Sequence, residues 1–294
     1  MPEPPLLVAA PNVSEGTDEG VLERIERAFA PARFLDLHAD PDHDRAVYTL
    51  AARQGELAEG LVSGARAVVE AVDLTRHHGV HPYVGALDVM PVVYREQAER
   101  GPACAEALTA AARIGAELGV PVVLYGELAT RPEQRERAWL RAGGAGRLAQ
   151  RIEAGEVVPD FGPARAHPTA GVVLAAARPP LVAFNVDLDS DDLALARSIA
   201  AEIRESGGGL PGVRALGLYL DRRGRAQVST NVHDHRATPL REVVAAVRKR
   251  APIAEAELIG LAPRAAFEGF PEDVALRGFS PGRHLLENAL GSIH

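Results

Sequence analysis

Several features that would define a class of protein are scarce in this sequence. Its 294 residues include one cysteine, Cys104, so no disulfide can form within the chain, and the helix-like run around it favours burial over a thiol mechanism. No apolar run approaches the ~20 residues that span a bilayer, and the N-terminus lacks the basic flank and apolar centre of a secretory signal. We therefore expect a cytoplasmic protein with no membrane partner.

Signals for nucleic acids and nucleotides are missing as well. The net charge is −8, and the arginines are scattered instead of forming the basic block of a nucleic-acid binder. The phosphate-binding motif GxxxxGK[ST] does not occur, and no GxGxxG opens a helix after a strand. These absences exclude a nucleotide cofactor from our expectations and favour a small-molecule ligand.

What the sequence does contain is a repeated order of apolar strands and amphipathic helices. The first half predicts a βαββαβ order with one more helix and strand, and the second half predicts βαββαβ again. This order is typical of ferredoxin-like folds. We predict an α/β (α+β) protein with two ferredoxin-like subdomains, residues 1–178 and 179–294, and a ligand cleft between them. Ser14 or Thr17, and Ser190, are the predicted helix N-caps.

The segment HHGVHPYVGALDVMP contains three histidines directly before an apolar strand with a single aspartate, Asp88. Pro82 prevents a helix at this point, and a neutral imidazole at His81 suits proton transfer because its ordinary pKa of ~6.5 lies near working pH. The segment therefore predicts His81 as a catalytic base with Asp88 beside it. His77 and His78 are expected to be exposed at the end of the preceding helix.

A metal site is the alternative interpretation of these histidines. Together with His38, Asp40 and His43 they supply enough nitrogen and oxygen donors for zinc or manganese, as in a metal-dependent amidine or amide hydrolase. The spacing H-H-x-x-H is not the i, i+4 pair that a helix directs at one ion, so the favoured prediction contains no metal.

Polar side chains also interrupt segments where a core would be apolar. The ordinary explanations for these polar residues are helix caps, an acidic turn, a proline-rich connector and pairing of the side chains with each other. The alternative explanation is a ligand site, because long irregular loops are often functional and buried amides need hydrogen-bond partners. The candidates are Asn12, Ser14 and Glu15; Asp40; Asp160, Phe161, Arg165 and His167; and Asn185, Gln227, Ser229 and Asn231.

Nine segments, in chain order, resemble the formiminotransferase domain of the glutamate formiminotransferase family. They are PNVSEG, DPDHDRAVYTL, HPYVGALDVMP, GVPVVLYGE, VPDFGP, LVAFNVDL, IRESGGGLPGVRALG, AQVSTNVHD and ELIGLAP. The resemblance covers nearly the whole chain, about residues 6–263. His81-Pro82 followed by GALDV, and the segment PDFGP, are the most specific. The helical segments are weak evidence alone.

The resemblance implies a homodimer with a tunnel between two α/β subdomains. It implies transfer of a formimino group from N-formiminoglutamate to N5 of tetrahydrofolate, a co-substrate, in histidine degradation, with no metal and without a fused cyclodeaminase. The family's catalytic histidine falls on His81, its N-terminal asparagine on Asn12, and its folate-contacting loop on residues 160–169, which include Asp160, Phe161, Gly162, Pro163, Arg165 and His167.

Together, the resemblance and the residues predict a direct transfer. His81 serves as base and then acid, with Asp88 or a nearby carboxylate orienting its ring. Asp160 pairs with the pterin, and Arg45 and Arg178 bind the glutamate carboxylates. Amide and carboxylate contacts are predicted for Asn12, Asn185, Ser229 and Asn231. A folate-binding homologue without catalysis is the second alternative.

The chain departs from the family's pattern at three positions. Tyr83 stands where many members have an arginine, Asp44 replaces the usual asparagine, and His38 replaces an acidic residue of the animal enzymes. Since Tyr83 removes a cation from beside His81, an anionic donor is expected to meet a less positive pocket wall.

Overall fold

The structure is a computed structural model that describes residues 3–79 and 81–291. The chain divides into two compact units, Met1–Pro179 and Pro180–His294. Each unit contains its own sheet and helices, so the predicted mixed α/β class is confirmed. In the described part of the chain, no helix combines the length and the apolar character needed to cross a membrane.

The first unit begins with two short strands and alternates between strands and helices thereafter. Its elements are β1 (Leu6–Ala9), β2 (Asn12–Val13), α1 (Glu19–Ala28), β3 (Arg33–Asp40), β4 (Arg45–Arg53), α2 (Leu57–Ala71), β5 (Leu87–Val93), α3 (Arg100–Leu118), β6 (Val122–Leu124), α4 (Arg137–Arg141), α5 (Gly144–Glu153) and β7 (Val173–Arg178).

The strands of the first unit form one sheet in the order β1-β4-β2-β5-β7-β6, with β3 paired to β4. The pairs β5–β7 and β6–β7 are parallel, and the others are antiparallel. Every residue of β5 is buried, as the continuous apolar run LDVMPVV predicts. The βαββαβ order with an additional helix and strand is found. A further strand, β7, has the alanine-rich sequence VLAAAR, whose lack of alternation gives no strand signal.

The main core of the first unit includes buried side chains from the sheet and from α1, α2 and α3. Phe29 packs on Tyr48 with ring centroids 5.2 Å apart, and the Tyr48 hydroxyl donates to the Leu22 carbonyl at 3.0 Å. Gly64 allows the close approach of α2, because a Cβ there would lie 2.2 Å from the Phe29 ring. Burial of each large apolar side chain contributes ~1.5–3 kcal/mol.

The second unit has the predicted βαββαβ order, followed by two short helices. Its elements are β8 (Val182–Leu188), α6 (Leu193–Ile203), β9 (Val213–Leu220), β10 (Arg225–Val232), α7 (Leu240–Arg248), β11 (Ile253–Ile259), α8 (Pro281–His284) and α9 (Leu286–Gly291). The four strands form an antiparallel sheet in the order β11-β8-β10-β9.

The predicted helix N-caps are wrong by one to four positions. Asp18 caps α1 by accepting from the Val21 amide at 3.0 Å, and Asp192 caps α6 by accepting from the Leu195 amide at 3.0 Å. Ser190 accepts from the Asp192 amide at 3.1 Å. Serine and aspartate are both strong N-caps, so sequence preference alone does not choose between neighbours.

Candidate active site

Arg45, the first residue of β4, connects three of the predicted site residues. Its Nε and Nη2 donate to Asn12 Oδ1 at 3.0 and 2.6 Å, and its Nη1 donates to Asp88 Oδ2 at 2.7 Å. The pairing of Asn12 with Val47 brings the two strands into a register in which these side chains meet. Asn12 is itself fixed, because its amide nitrogen donates to the Ala10 carbonyl at 2.7 Å.

Asp88 lies in the middle of this network, fully buried on β5. The pairing between β2 and β5 shifts register here, and such irregularities redirect side chains. Its carboxylate accepts from Arg45, from Arg141 and from the Val84 amide, the last at 2.9 Å. Burial by itself would raise the pKa of Asp88, but the Arg141 and Arg45 cations lower that pKa below its usual value. Asp88 is therefore an ionised carboxylate.

The His81 ring is half-buried and touches the network through Arg45. His81 Nδ1 lies 3.2 Å from Arg45 Nη1 and 2.9 Å from the Pro82 carbonyl oxygen, and the ring stacks on His43 with centroids 5.8 Å apart. Donation from Nδ1 to Pro82 leaves Nε2 able to accept a proton, whereas donation from Arg45 to Nδ1 leaves the proton on Nε2. Both tautomers have a partner. The link from His81 to Asp88 runs through Arg45.

The surroundings of His81 favour its neutral form. Burial is the largest cause that lowers its pKa, followed by the cations of Arg45 and Arg141 and by His43 and Arg137, so this pKa lies well below the usual 6.5. A neutral imidazole at pH 7 has a lone pair and can take a proton, which is the property a general base requires.

Arg137 and Arg141, at the two ends of α4, are functional candidates that sequence reasoning missed. Arg141 donates to Asp88, and Arg137 lies within electrostatic range of Arg45, Arg141 and Arg178. The expectation of a less positive wall stays a prediction, and the structure adds that Arg141 and Arg137 of α4 act electrostatically on His81. The available signal was the arginine-rich composition of residues 131–156.

Asp44 and Tyr83, two of the residues that depart from the family's pattern, both contact His77. Asp44 Oδ2 lies 3.0 Å from His77 Nδ1, and the His77 ring packs edge-on against Tyr83 with centroids 4.2 Å apart. The prediction that His77 is exposed is wrong, because its side chain is 4% exposed, whereas His78 is exposed as predicted. The hydrogen bond to Asp44 explains why a histidine is buried here.

Three other predicted residues near the N-terminus have structural partners. The Ser14 hydroxyl donates to the Gly85 carbonyl at 2.8 Å, Glu15 accepts from the amides of Thr17 and Asp18 at 2.7 and 2.9 Å, and Asp40 accepts from the amides of Asp42 and His43 at 2.8 and 3.0 Å. These bonds are typical of caps and turns. Ligand contacts by Ser14, Glu15 and Asp40 stay predictions.

The predicted folate loop is anchored at both ends. Asp160 accepts from the Leu124 amide at 2.7 Å and from the Thr130 hydroxyl at 2.6 Å, and His167 Nδ1 accepts from the Ala170 amide at 3.0 Å. A carboxylate has about four acceptor positions, so Asp160 keeps capacity for a ligand. Between these anchors, Phe161 is partly buried against the core, Pro163 is half-exposed, and Gly162 and Arg165 are exposed.

The second unit presents its own polar row. Asn185 and Ser229 are direct neighbours on β8 and β10, and Asn231 pairs with Ala183 one step beyond. Asn185 is buried, and the adjacent Gln227 donates to Asp187 at 2.7 Å. The hydrogen bond to Asp187 therefore explains why a polar residue lies at position 227. The ligand roles of Asn185, Ser229 and Asn231 stay predictions. Within the residues described, no three histidine, cysteine or acidic side chains are grouped to hold a metal ion.

Comparisons with known proteins identify the family of this chain. Residues 6–178 match the family model described as "Formiminotransferase domain, N-terminal subdomain", and residues 183–269 match "Formiminotransferase domain". The chain therefore belongs to the formiminotransferase family, and the prediction that it is an enzyme is confirmed.

The relatives include proteins of the same size and of twice the size. A glutamate formimidoyltransferase of Streptococcus pyogenes is 35% identical over 95% of this chain and 97% of its own length, and one of Thermoplasma acidophilum is 33% identical over 95% and 96%. A formimidoyltransferase-cyclodeaminase of Sus scrofa is 38% identical over 88% of this chain and 50% of its own length.

Proposed function

We propose that this protein transfers a formimino group from N-formiminoglutamate to N5 of tetrahydrofolate, with His81 as the group that moves protons. The observation that carries the proposal is the contact between His81 and Arg45, which also holds Asn12 and Asp88. The relatives in Streptococcus pyogenes and Thermoplasma acidophilum are glutamate formimidoyltransferases, which supports the donor class. We also propose that the protein acts in histidine degradation, as a homodimer in the cytoplasm.

The reaction needs one proton removed and one proton supplied. N5 of the folate attacks the amidine carbon, and neutral His81 accepts the N5 proton as the new carbon–nitrogen bond forms. The protonated ring then donates to the glutamate nitrogen as the old carbon–nitrogen bond breaks. The imidazolium is a strong acid here because burial disfavours its charge and the Arg45 and Arg141 cations oppose it, so the ring returns the proton readily. Atoms and charges balance without a metal or a covalent intermediate.

The folate is proposed to contact residues 160–169, and ligand contacts by Asn185, Ser229 and Asn231 stay predictions from the sequence. A peptide loop anchored at both ends is a rigid surface for a flat heterocycle, and Phe161 supplies an aromatic ring beside the carboxylate of Asp160. Holding the two substrates in place contributes to the rate beyond the acid–base step.

The test is a transfer assay on His81→Ala, with His78→Ala as matched control, because His78 is an exposed histidine three residues away. General acid–base catalysis is worth ~10²–10⁴-fold, so turnover should fall by that factor in His81→Ala while the dissociation constant for tetrahydrofolate changes little. Wild-type turnover in His81→Ala would overturn the role of His81. Folate binding by the wild type without any turnover of N-formiminoglutamate would overturn the proposed reaction.

A further inference from the structure

Two arginines beside the proposed centre keep hydrogen-bonding capacity that the described part of the protein does not use. Arg141 Nε and Arg178 Nε are buried and have no hydrogen-bond partner within residues 3–79 and 81–291. The hydroxyl of Tyr125, which follows β6, is equally buried and lies beside Arg178. The Arg137 guanidinium lies 5.9 Å from the centre of the Tyr125 ring. We call Arg137, Arg141, Arg178 and Tyr125 the arginine cluster.

The arginine cluster carries more positive charge than its surroundings neutralise. Asp88 is the carboxylate that bonds Arg141, and it also bonds Arg45. Burial is the largest cause that lowers the pKa of Arg141, and Arg137 and Arg45 lower it further, to about 9, which leaves it charged at neutral pH. Burial and Arg137 likewise lower the pKa of Arg178. Crowded cations and unpartnered buried donors are both energetically unfavourable, and an anion bound at the arginine cluster would relieve both.

We propose that the arginine cluster binds the two carboxylates of the donor substrate and thereby restricts the enzyme to dicarboxylic amidines. This proposal rests on the proposed function and deepens it. The guanidinium fork matches a carboxylate in shape, and its donors come from two separate elements, α4 and the end of β7. Two anchoring positions fit a dianion better than a single carboxylate. Arg45 is left to hold Asn12, Asp88 and His81.

Anchoring at the arginine cluster explains how the amidine would meet the base. Arg141 and Arg45 share Asp88, and Arg45 contacts the His81 ring, so a carboxylate bound at Arg141 lies one side chain away from the proton-transfer group. Arg137 and Arg141 are therefore specificity-determining residues in this proposal. A neutral amidine such as formamidine lacks the groups that the cluster recognises.

The first experiment measures binding without turnover. Glutarate, an unreactive five-carbon dicarboxylate, is titrated into wild type, Arg137→Gln and Arg178→Gln at low salt in a calorimeter, with butyrate as the monocarboxylate. Charged hydrogen bonds are worth enough for a roughly 10–100-fold loss of affinity in each variant. Arg147→Gln is the matched control, since Arg147 is an exposed arginine on the neighbouring helix α5. Wild-type glutarate affinity in both cluster variants would overturn the proposal.

The second experiment identifies the source of the carboxylates, because the glutamyl tail of a folate carries the same chemistry. In the transfer assay, Arg137→Gln should raise the KM for N-formiminoglutamate by a similar factor and leave the KM for tetrahydrofolate unchanged. A rise in the KM for the folate alone would assign the cluster to the tail and overturn the donor assignment. If the wild type binds glutarate but shows no transfer, the dianion site is supported and only the proposed function is refuted. Arg137→Lys keeps the charge without the fork and serves as a second folded variant.

Discussion

Asp44 Oδ2 and His77 Nδ1 lie 3.0 Å apart, and this hydrogen bond joins the β3–β4 turn to the segment leading to His81. Asp44 also accepts from the Gly16 amide at 3.0 Å. Among the residues that the structure describes, Asp44 is the non-glycine residue with a positive φ, which is 46°. Burial would raise the pKa of Asp44, but the hydrogen bond and charge of His77 lower that pKa overall. Gly79 fits tightly here, because a Cβ would lie 2.3 Å from the His43 carbonyl oxygen. We therefore predict that Asp44 and His77 help to position His81.

Replacement of Asp44 should separate the effect of its conformation from that of its charge. Asp44→Ala loses both hydrogen bonds and places alanine in a left-handed conformation, so the free energy of unfolding should fall by ~2–4 kcal/mol. Asp44→Asn keeps an oxygen for Gly16 and tolerates this φ, so its loss should be smaller. Thermal denaturation of both variants measures the difference, with exposed Asp191→Ala as control. Equal melting temperatures for Asp44→Ala and wild type would contradict the positioning role.

The residues that the sequence could predict are those whose chemistry depends on near neighbours. Asn12, Arg45, His81 and Asp88 stand out as polar groups at strand ends, and they meet in the structure. Their ligand roles stay predictions. The alternation of elements is equally local, which is why the βαββαβ orders were found.

The rest depends on contacts between distant segments. Helix α4 has five residues, too few for a periodic signal, and Arg141 meets Asp88 across 53 positions of sequence. His77 looks like a surface histidine until Asp44, from another turn, lies beside it. Neither pairing follows from spacing or propensity, because only tertiary packing brings the partners together.

Asp88 should be the most sensitive position for stability. Asp88→Asn removes the charge that two buried guanidiniums share, and loss of one partner from a buried ion pair typically costs ~3–5 kcal/mol. Urea denaturation should show a large decrease in the unfolding free energy. The control is Glu117→Gln, a surface carboxylate that also bonds two arginines, where a much smaller change is expected. Comparable losses in the two variants would argue against a buried charge network at Asp88.

The lowered pKa of His81 predicts how stability and activity change with pH. Between that pKa and 6.5 the unfolded chain binds a proton that folded His81 does not, so the unfolding free energy rises with pH and falls on acidification below 6.5. His81→Gln should lose this component between pH 7 and pH 5 in urea titrations. Because the base stays neutral at pH 7, the acidic limb of kcat/KM should lie below pH 6.5. A limb centred at or above 6.5 would contradict the assignment of His81 as this base.

Occupancy of the arginine cluster should raise the pKa of His81. The charged groups that face this ring are Arg45, Arg141, Arg137 and His43, and Asp88 lies behind Arg45. A dicarboxylate bound at Arg137 and Arg141 offsets their charges, so the protonated ring becomes less unfavourable and its pKa moves back toward 6.5. By linkage, glutarate must then bind more tightly as the pH falls through this range.

Nuclear magnetic resonance titration of the His81 ring protons, assigned by comparison with His81→Gln, measures this coupling directly. Saturating glutarate should shift the midpoint to higher pH in wild type and in Arg147→Gln. Arg137→Gln should titrate at a higher pH even without glutarate, because one of the opposing cations is gone, and added glutarate should shift it less. An identical midpoint with and without glutarate in wild type would mean that the anion binds too far from His81 to affect it. That outcome would separate the arginine cluster from the proton-transfer centre and remove the reason to regard the two as one active site.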